Sequence, residues 1–212
     1  MDAGTMIDIT RTLGEDTPVW PGDAPVKLVR DQWFETGPNV SSVCMSLHAG
    51  THADLPLHYD SYGADAAGID LSSFVGPCHV LELPEGQACV EEALFDGLPA
   101  DTKRVLIKTP ASALNGQAYI MSGYGLTPGA AQRIIDEGCL LVGVDGPSVG
   151  VHGEEGDAVH RMLLSHGVAV VEGLDLLNVG AGRYMLCCLP LKFSGAEGAP
   201  LRAVLFPVKE GV

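Results

Sequence analysis

The stretch "LTPGAAQRIIDEGCLLVGVD", residues 126–145, indicates the fold class because it joins a helix to a buried strand. Thr127 is a good N-cap, Pro128 suits the first position of a helix, and Gly138 is a typical stop. The apolar run 139–144 that follows is typical of a strand covered on both faces, as in parallel sheets. The stretch therefore predicts an α/β protein.

The same arrangement recurs in "DAVHRMLLSHGVAVVEG", residues 157–173, with Asp157 as a possible cap, Gly167 as a stop and a second buried strand. The first strand ends at Asp145 and the second at Glu172. If the two strands are parallel, both carboxylates lie at one sheet edge, where open α/β sheets bind ligands. Taken alone, Asp145 could equally be a solvated acid at a strand end.

The rest of the chain has the pattern of strands separated by turns rich in Gly, Pro and Asp. The run "SSVCMSL" alternates, which places Val43, Met45 and Leu47 on one face and predicts a half-buried strand. We find no internal repeat or linker, so we expect a single domain over residues 1–212, mixed α/β and β-rich. The other predicted strands cover residues 6–10, 26–34, 40–48, 78–83, 104–109, 184–193 and 200–208.

Charge and composition argue against several partners. The chain carries 27 Asp and Glu against 12 Lys and Arg, a net charge of −15, which opposes binding to nucleic acid or anionic membranes. No apolar run approaches the roughly 20 residues that span a bilayer, and the N-terminal residues do not resemble a signal peptide. We therefore expect no nucleic acid or membrane partner and a cytoplasmic location.

The stretch "SLHAGTHADLPLHY", residues 46–59, holds three of the seven histidines of the chain. Its Gly50 and Pro56 argue against a regular helix. In an extended chain, His52 and Asp54 lie on one face because an even step separates them. The stretch therefore predicts a surface that combines imidazole and carboxylate groups.

His58 lies on the same face in that extended register, and a bend at Gly50 would bring His48 toward it. Two imidazoles and a carboxylate suit a divalent metal, Zn²⁺ first or Mn²⁺. His58, beyond Pro56, would be either a fourth ligand or a base beside the activated water, and we favour the base. The alternative is a cluster of surface histidines with no ligand.

A site for two metals needs further ligands. His160 and Glu172 are candidates because the helix, turn and strand between them would return both to one sheet edge. Three other histidines compete with them: His79 in a predicted strand, His152 in a loop, and His166 beside a helix stop.

These residues together resemble the metal-dependent cyclase-like hydrolases, and within that family most closely the bacterial arylformamidases, or kynurenine formamidases. The motif "HAGTHADLPLHY" is highly specific for the family, and the other matching pieces follow in the family's order along nearly the whole chain. They are "TPVWPGD" (17–23), "GPCHV" (76–80), "LVGVDGPS" (141–148), the pair His160 and Glu172, "LPLKF" (189–193) and "LRAVLF" (201–206).

The resemblance implies a centre of two divalent metals per chain, most simply two Zn²⁺ with Mn²⁺ as the alternative. His48, His52 and Asp54 are then the ligands of one metal. Asp54 bridges to the second metal, which His160 and Glu172 hold.

The resemblance also assigns His58 as proton donor and acceptor and places Trp20 against the aromatic part of a small-molecule substrate. It implies a swivelling β/β/α fold, usually in a homo-oligomer, a dimer or tetramer. The implied reaction is hydrolysis of an aryl formamide such as N-formyl-L-kynurenine, giving kynurenine and formate.

Three departures from the arylformamidase pattern concern the substrate and leave the metal ligands intact. Ala49 replaces the usual Thr, "DGPS" (145–148) replaces Asp-Thr-Pro-Ser, and the loop 149–157 is unfamiliar. The alternative substrates are another small cyclic amide, a lactone or an isatin-like ring. A metal-stabilised binding protein is the rival class, although it would have no use for a free His58 beside the metal.

Overall fold

The computed structural model describes residues 6–208, whose strands form one large curled sheet and a separate hairpin. The strands are β1 (Ile7–Asp8), β2 (Lys27–Gln32), β3 (Val40–Cys44), β4 (His52–Asp54), β5 (Val75–Glu82), β6 (Arg104–Lys108), β7 (Leu141–Val144), β8 (Ala169–Glu172), β9 (Gly182–Cys187), β10 (Gly198–Pro200) and β11 (Val204–Pro207). The α-helices are α1 (Gly116–Ile120), α2 (Pro128–Asp136) and α3 (Glu154–Ser165). Short 3₁₀ turns lie at Pro56–His58, Leu71–Phe74, Glu92–Phe95 and Pro110–Ala113.

The large sheet has the strand order β1-β11-β9-β5-β6-β7-β8-β4-β10. The four strands from β5 to β8 are parallel, and antiparallel strands extend the sheet on both sides. Ala53 of β4 and Leu205 of β11 come from opposite ends of this order and still join one apolar cluster, because the sheet curls. The fold is mixed α/β and β-rich, as the sequence predicts.

The central strands are buried on both faces, which explains their continuous apolar runs. On β6, Val105 and Ile107 pack with residues of α2 and α3, whereas Leu106 joins the cluster on the opposite face. The two helix–strand units predicted from the sequence are present, and β7 pairs with β8 in parallel. Their C-terminal ends therefore lie at one edge of the sheet.

The helix α2 begins where the sequence predicts, and Thr127 Oγ1 accepts a hydrogen bond from Ala130 N at 3.2 Å. The helix α3 begins earlier than predicted. It follows Gly153, so that Asp157 lies in its first turn and is not its cap. Gly156 in that turn lies so close to the loop before it that a Cβ would be 1.8 Å from the Val151 carbonyl oxygen. This backbone contact, which cap propensity does not reveal, fixes where the helix starts.

The expectation of a half-buried strand around Val43 is wrong. The strand β3 ends at Cys44, before Met45 and Leu47, and pairs only with β2 in a hairpin outside the large sheet. Val43 is 60 % exposed. Alternation identifies residues that share a face, but it does not show whether another element covers that face.

The late strands are also shorter than predicted. The run 200–208 divides between β10, which ends at Pro200, and β11, which begins at Val204. The run 184–193 forms a strand only as far as Cys187. None of the helices within residues 6–208 is both long and apolar enough to cross a membrane.

Candidate metal and catalytic site

The short strand β4 brings the first two site residues together. His52 and Asp54 are separated by one residue and lie on the same side of the strand, and both are buried. In the sheet, His52 is the partner of Glu172 on β8, while Asp54 is the partner of Gly198 on β10. As predicted, the strand β4 therefore places His52 and Asp54 on one face. The neighbouring strand β8 adds Glu172, the acid at the end of the second helix–strand unit.

The Asp54 carboxylate lies between histidines on two sides. Its Oδ1 atom is 2.9 Å from His48 Nδ1 and 3.3 Å from His52 Nε2, while its Oδ2 atom is 3.5 Å from His160 Nε2. Glu172 completes the second side, because its Oε1 atom is 3.1 Å from His160 Nε2. All five residues named as metal ligands are therefore gathered around one carboxylate.

Backbone carbonyls orient two of these imidazoles. His52 Nδ1 donates to Gly50 O at 3.1 Å, and His160 Nδ1 donates to Gly156 O at 2.7 Å. In the neutral tautomer this leaves each Nε2 lone pair directed at the carboxylates, an arrangement that metal-binding histidines commonly show. His52 Nε2 is buried and makes no hydrogen bond to any of the residues 6–208. These residues therefore fit a bound divalent metal.

Two glycines allow His48 to take its position in the cluster. A Cβ on Gly198 would lie 2.8 Å from His48 Cε1, so the bare backbone of β10 lets this imidazole lie over Asp54. Gly50, with φ at +69°, provides the bend that brings His48 back toward β4, as the sequence predicts.

The electrostatics of the cluster favour positive charge. Burial by itself would lower the pKa of each histidine, but the Asp54 and Glu172 carboxylates outweigh this and raise the pKa of His52 to about 10. His160 follows the same pattern. Burial lowers its pKa, but the Glu172 carboxylate outweighs burial and raises the pKa to about 9. Two carboxylates that are nearly inaccessible to water need compensating charge, which either protons or a divalent cation can supply.

His58 lies beside this cluster, but not in the extended register expected from the sequence. The chain turns after Leu55 into a 3₁₀ turn, Pro56–His58, and the His58 ring centroid comes to 4.4 Å from that of His48. Burial lowers the pKa of His58, the opposite direction from His52 and His160. One nitrogen of His58 lies within 4.8 Å of ligand atoms of His48 and Asp54.

The cluster forms the floor of a cavity of about 280 Å³. Trp20 lies in its wall and stacks on His152, with ring centroids 4.5 Å apart and planes at 19°. Tyr59 stacks on His160 at 5.1 Å, and its hydroxyl donates to Asp157 Oδ1 at 2.9 Å. The unfamiliar loop 149–157 supplies part of this wall.

Asp145 follows its parallel strand as expected, but it is not part of the cluster. It is fully buried and accepts hydrogen bonds from Thr109 N, Thr109 Oγ1 and Ser112 Oγ at 2.6–2.7 Å. Its carboxylate is therefore neither a ligand nor a solvated strand end, and it holds the segment after β6 in place.

Of the three competing histidines, His152 lines the cavity, whereas the other two lie elsewhere. His79 hydrogen-bonds Thr102, and His166 follows the last turn of α3. The cavity also contains residues that sequence reasoning missed, Tyr59 and Tyr119, because neither belongs to a spacing pattern with a chemical meaning of its own.

Comparisons with known proteins agree with this geometry. The sequence model of the Cyclase family matches residues 7–151, which include the whole histidine-rich stretch. The chain belongs to the Cyclase family. The resemblance to cyclase-like metal-dependent hydrolases is thereby confirmed.

Solved structures extend the likeness over almost the full chain. A "potential metal-dependent hydrolase with cyclase activity" shares 31% identity, with 97% of this chain and 98% of the other covered and a TM-score of 0.81. A "predicted metal-dependent hydrolase" from Bacillus stearothermophilus shares 29% identity, with 95% and 98% covered and a TM-score of 0.79. Isatin hydrolase A from Labrenzia aggregata shares 23% identity, with 95% and 93% covered and a TM-score of 0.84, which shows that this Cyclase-family chain has the same fold.

Proposed function

We propose that the protein is a metal-dependent hydrolase of small amides, most directly of an aryl formamide such as N-formyl-L-kynurenine. The observation that carries the proposal is the placement of Asp54. Its two carboxylate oxygens face different histidines at the floor of one cavity, and His58 stands free beside them. A carboxylate in that position suits a bridge between two metals.

His48, His52 and Asp54 would hold the first metal, and Asp54, His160 and Glu172 would hold the second. Zn²⁺ is the first choice for nitrogen and carboxylate donors, with Mn²⁺ as the alternative. When bound, such metals polarise a carbonyl group and lower the pKa of water toward about 7.

His58 would move the proton. Because burial lowers its pKa, the imidazole is neutral at physiological pH and can accept a proton from the attacking water. It can then donate this proton to the nitrogen of the departing amine. Among the described residues, no backbone carbonyl accepts a hydrogen bond from the His58 ring, whereas the rings of His52 and His160 each donate to one.

The wall formed by Trp20 and His152 supports an aromatic substrate, because both residues line the cavity and aromatic rings favour contact with an aryl group. Trp20→Ala is expected to raise KM for an aryl formamide at least tenfold, while a small aliphatic amide or lactone is little affected. Steady-state kinetics on both substrates check this. Equal losses on both, with a lower melting temperature, would make Trp20 a packing residue.

A cyclic amide of the isatin type is the second candidate. None of the described residues that line the cavity is Lys or Arg, whereas Asp23 and Asp157 lie in its wall. The α-carboxylate of N-formylkynurenine would therefore find no cationic partner there, and an uncharged ring would need none. Isatin hydrolase A, which has the same fold, also supports a cyclic amide as the substrate.

Metal analysis followed by a substrate panel tests the proposal. The purified protein is expected to hold about two divalent metals per chain. Chelation should abolish hydrolysis of N-formylkynurenine or isatin, and Zn²⁺ or Mn²⁺ should restore it. Glu172→Gln should lower the metal content toward one. Full activity after thorough removal of metal, or no turnover of any amide or lactone, would overturn the proposed function.

A further inference from the structure

Tyr119 carries a buried hydroxyl group in the wall of the cavity. The residue lies near the end of α1, lines the same cavity as the histidine cluster, and is only 3 % exposed. Within residues 6–208, its hydroxyl makes no hydrogen bond. Burying an unpaired hydroxyl costs free energy, so such a group in a cavity wall calls for an explanation.

The position of the ring is fixed. The Arg11 guanidinium lies over its face, 4.3 Å from the centroid, and Arg11 Nη2 donates to the Ala111 and Asp145 carbonyls at 3.3 Å. The hydroxyl lies next to the residue after Glu172, since a Cβ on Gly173 would be 3.3 Å from it. Burial raises the pKa of Tyr119 and outweighs the neighbouring Arg11 guanidinium, which lowers it, so the proton stays on the oxygen and the group can act as a donor.

The metal-ligand cluster and Tyr119 are separate parts of the cavity surface. The five ligand residues converge on one another, and a scissile carbonyl would be directed at them. Tyr119 is not within this set. The hydroxyl of Tyr59, which also lines the cavity, already donates to Asp157. Tyr119 is thus suited to a second oxygen of the same substrate.

Both candidate substrates contain such an oxygen. In N-formylkynurenine a ketone is attached to the ring ortho to the formamide nitrogen, and in isatin a ketone is attached ortho to the ring amide nitrogen. We propose that Tyr119 is a specificity-determining residue whose hydroxyl donates a hydrogen bond to a ketone oxygen ortho to the scissile amide. This inference rests on the proposed function and narrows the substrate class to aryl amides with an ortho carbonyl group.

Two isomeric substrates test the inference on the metal-loaded protein. The N-formyl derivatives of 2-aminoacetophenone and 4-aminoacetophenone both carry an electron-withdrawing ketone, but only the first carries it ortho to the amide. We expect wild type to prefer the ortho isomer about tenfold in kcat/KM, equivalent to about 1.4 kcal/mol. Tyr119→Phe should remove this preference and leave the rate on the para isomer unchanged.

Stability and a control variant separate this role from a structural one. Removing an unpaired hydroxyl should leave the melting temperature of Tyr119→Phe at or above that of wild type. Tyr184→Phe, whose hydroxyl donates to Gly180 O outside the cavity, should not alter the preference. Equal losses on both isomers, or an unchanged preference in Tyr119→Phe, would overturn the inference.

Binding of the two amines distinguishes failure of this inference from failure of the proposed function. Calorimetric titration should show tighter binding of 2-aminoacetophenone than of 4-aminoacetophenone to wild type, and equal binding to Tyr119→Phe. If wild type hydrolyses neither formamide but shows this difference, the aryl formamide reaction fails and the role of Tyr119 stands. If wild type binds both amines equally, or neither, the role of Tyr119 is wrong whatever the reaction.

Discussion

At the scale of single residues, the buried Asp54 and Glu172 carboxylates and the histidines around them depend on one another. A buried ionised carboxylate is unstable unless it is paired or coordinates a metal. His48, His52 and His160 approach these carboxylates to 2.9–3.5 Å. His58 lies next to them, but the direction of its pKa differs, and its expected role differs accordingly.

The first prediction separates His58 from the ligands. His58→Ala should lower kcat by about 10²–10⁴-fold, the usual loss for a general acid–base, while the metal content stays the same. His48→Ala is the matched comparison, because it should lose metal together with activity. Activity assays paired with metal analysis check both variants. Loss of metal in His58→Ala would make His58 a ligand.

The second prediction concerns protons and metal. In the metal-free protein the pKa of His52 is about 10 and that of His160 about 9, so both imidazoles are protonated at neutral pH. Metal binding requires neutral imidazole and should therefore release at least about two protons per chain, because the pKa of His48 is raised as well. Metal affinity should rise with pH until these groups lose their protons. Calorimetry in buffers of different ionisation enthalpy measures the release, and affinity independent of pH between 6 and 9 would contradict the expectation.

The third prediction concerns Asp145, whose three hydrogen bonds are internal to the fold. Asp145→Ala leaves buried donors without an acceptor and should destabilise the protein by about 3 kcal/mol. Metal content per folded chain should not change. Asp101→Ala on the surface is the control and should shift stability by less than about 0.5 kcal/mol. Denaturant unfolding and metal analysis check this. Loss of metal without loss of stability would show that Asp145 takes part in metal binding.

At the scale of elements, the helix α3 reaches the cluster only because its first turn packs tightly against the preceding loop. Gly156 supplies both the close contact with Val151 and the carbonyl that orients His160. The strand β4 is only three residues long and depends on β8 and β10, which pair with it on either side. The candidate ligands thus come from elements that are held in place by contacts with the rest of the fold.

The fourth prediction tests that packing. Gly156→Ala places a Cβ 1.8 Å from the Val151 oxygen, which is backbone and cannot simply rotate away. Alanine gains about 1 kcal/mol of helix propensity, but overpacking of this kind costs about 1–3 kcal/mol. We expect net destabilisation and weaker binding of the metal at His160. Gly14→Ala is the control, since nothing lies within 4 Å of its Cβ position. Thermal unfolding and metal titration measure both effects; unchanged values for Gly156→Ala would refute the packing argument.

At the scale of the whole molecule, the hairpin of β2 and β3 is exposed among the described residues 6–208. Leu28 and Val43 are paired across it and are 57 % and 60 % exposed, and Trp33 and Phe34 nearby are also exposed. Exposed apolar groups on a sheet with free edges commonly mark sites of association. The homo-oligomer expected from the family resemblance would provide a cover for them.

The fifth prediction follows from this exposure. The protein should sediment as a dimer or tetramer, and the double variant Leu28→Lys and Val43→Glu should sediment as a smaller species with its fold intact. The neighbouring variant Ser41→Glu is the control for added charge on the hairpin. Analytical ultracentrifugation and circular dichroism provide the readouts. Sedimentation of wild type as a monomer would rule out the oligomer.

The sequence by itself determined the features that depend on residues close together in the chain. Thr127 and Pro128 start α2, and continuous apolar runs mark β7 and β8, because capping and burial patterns are local. The even step between His52 and Asp54 likewise placed both on one face of β4. These local rules were enough for the fold class and for part of the candidate metal site.

Only the tertiary structure decided the features that depend on contacts between distant segments. His52 meets Glu172 because β4 pairs with β8. Asp145 and Glu172 both lie at the end of a parallel strand, yet Asp145 instead accepts hydrogen bonds from Thr109 and Ser112. The exposure of Val43 and the unpaired hydroxyl of Tyr119 were equally hidden, since spacing along a chain does not show what lies against a side chain. Chain spacing restricts which groups share a face, but packing in three dimensions determines which of them meet.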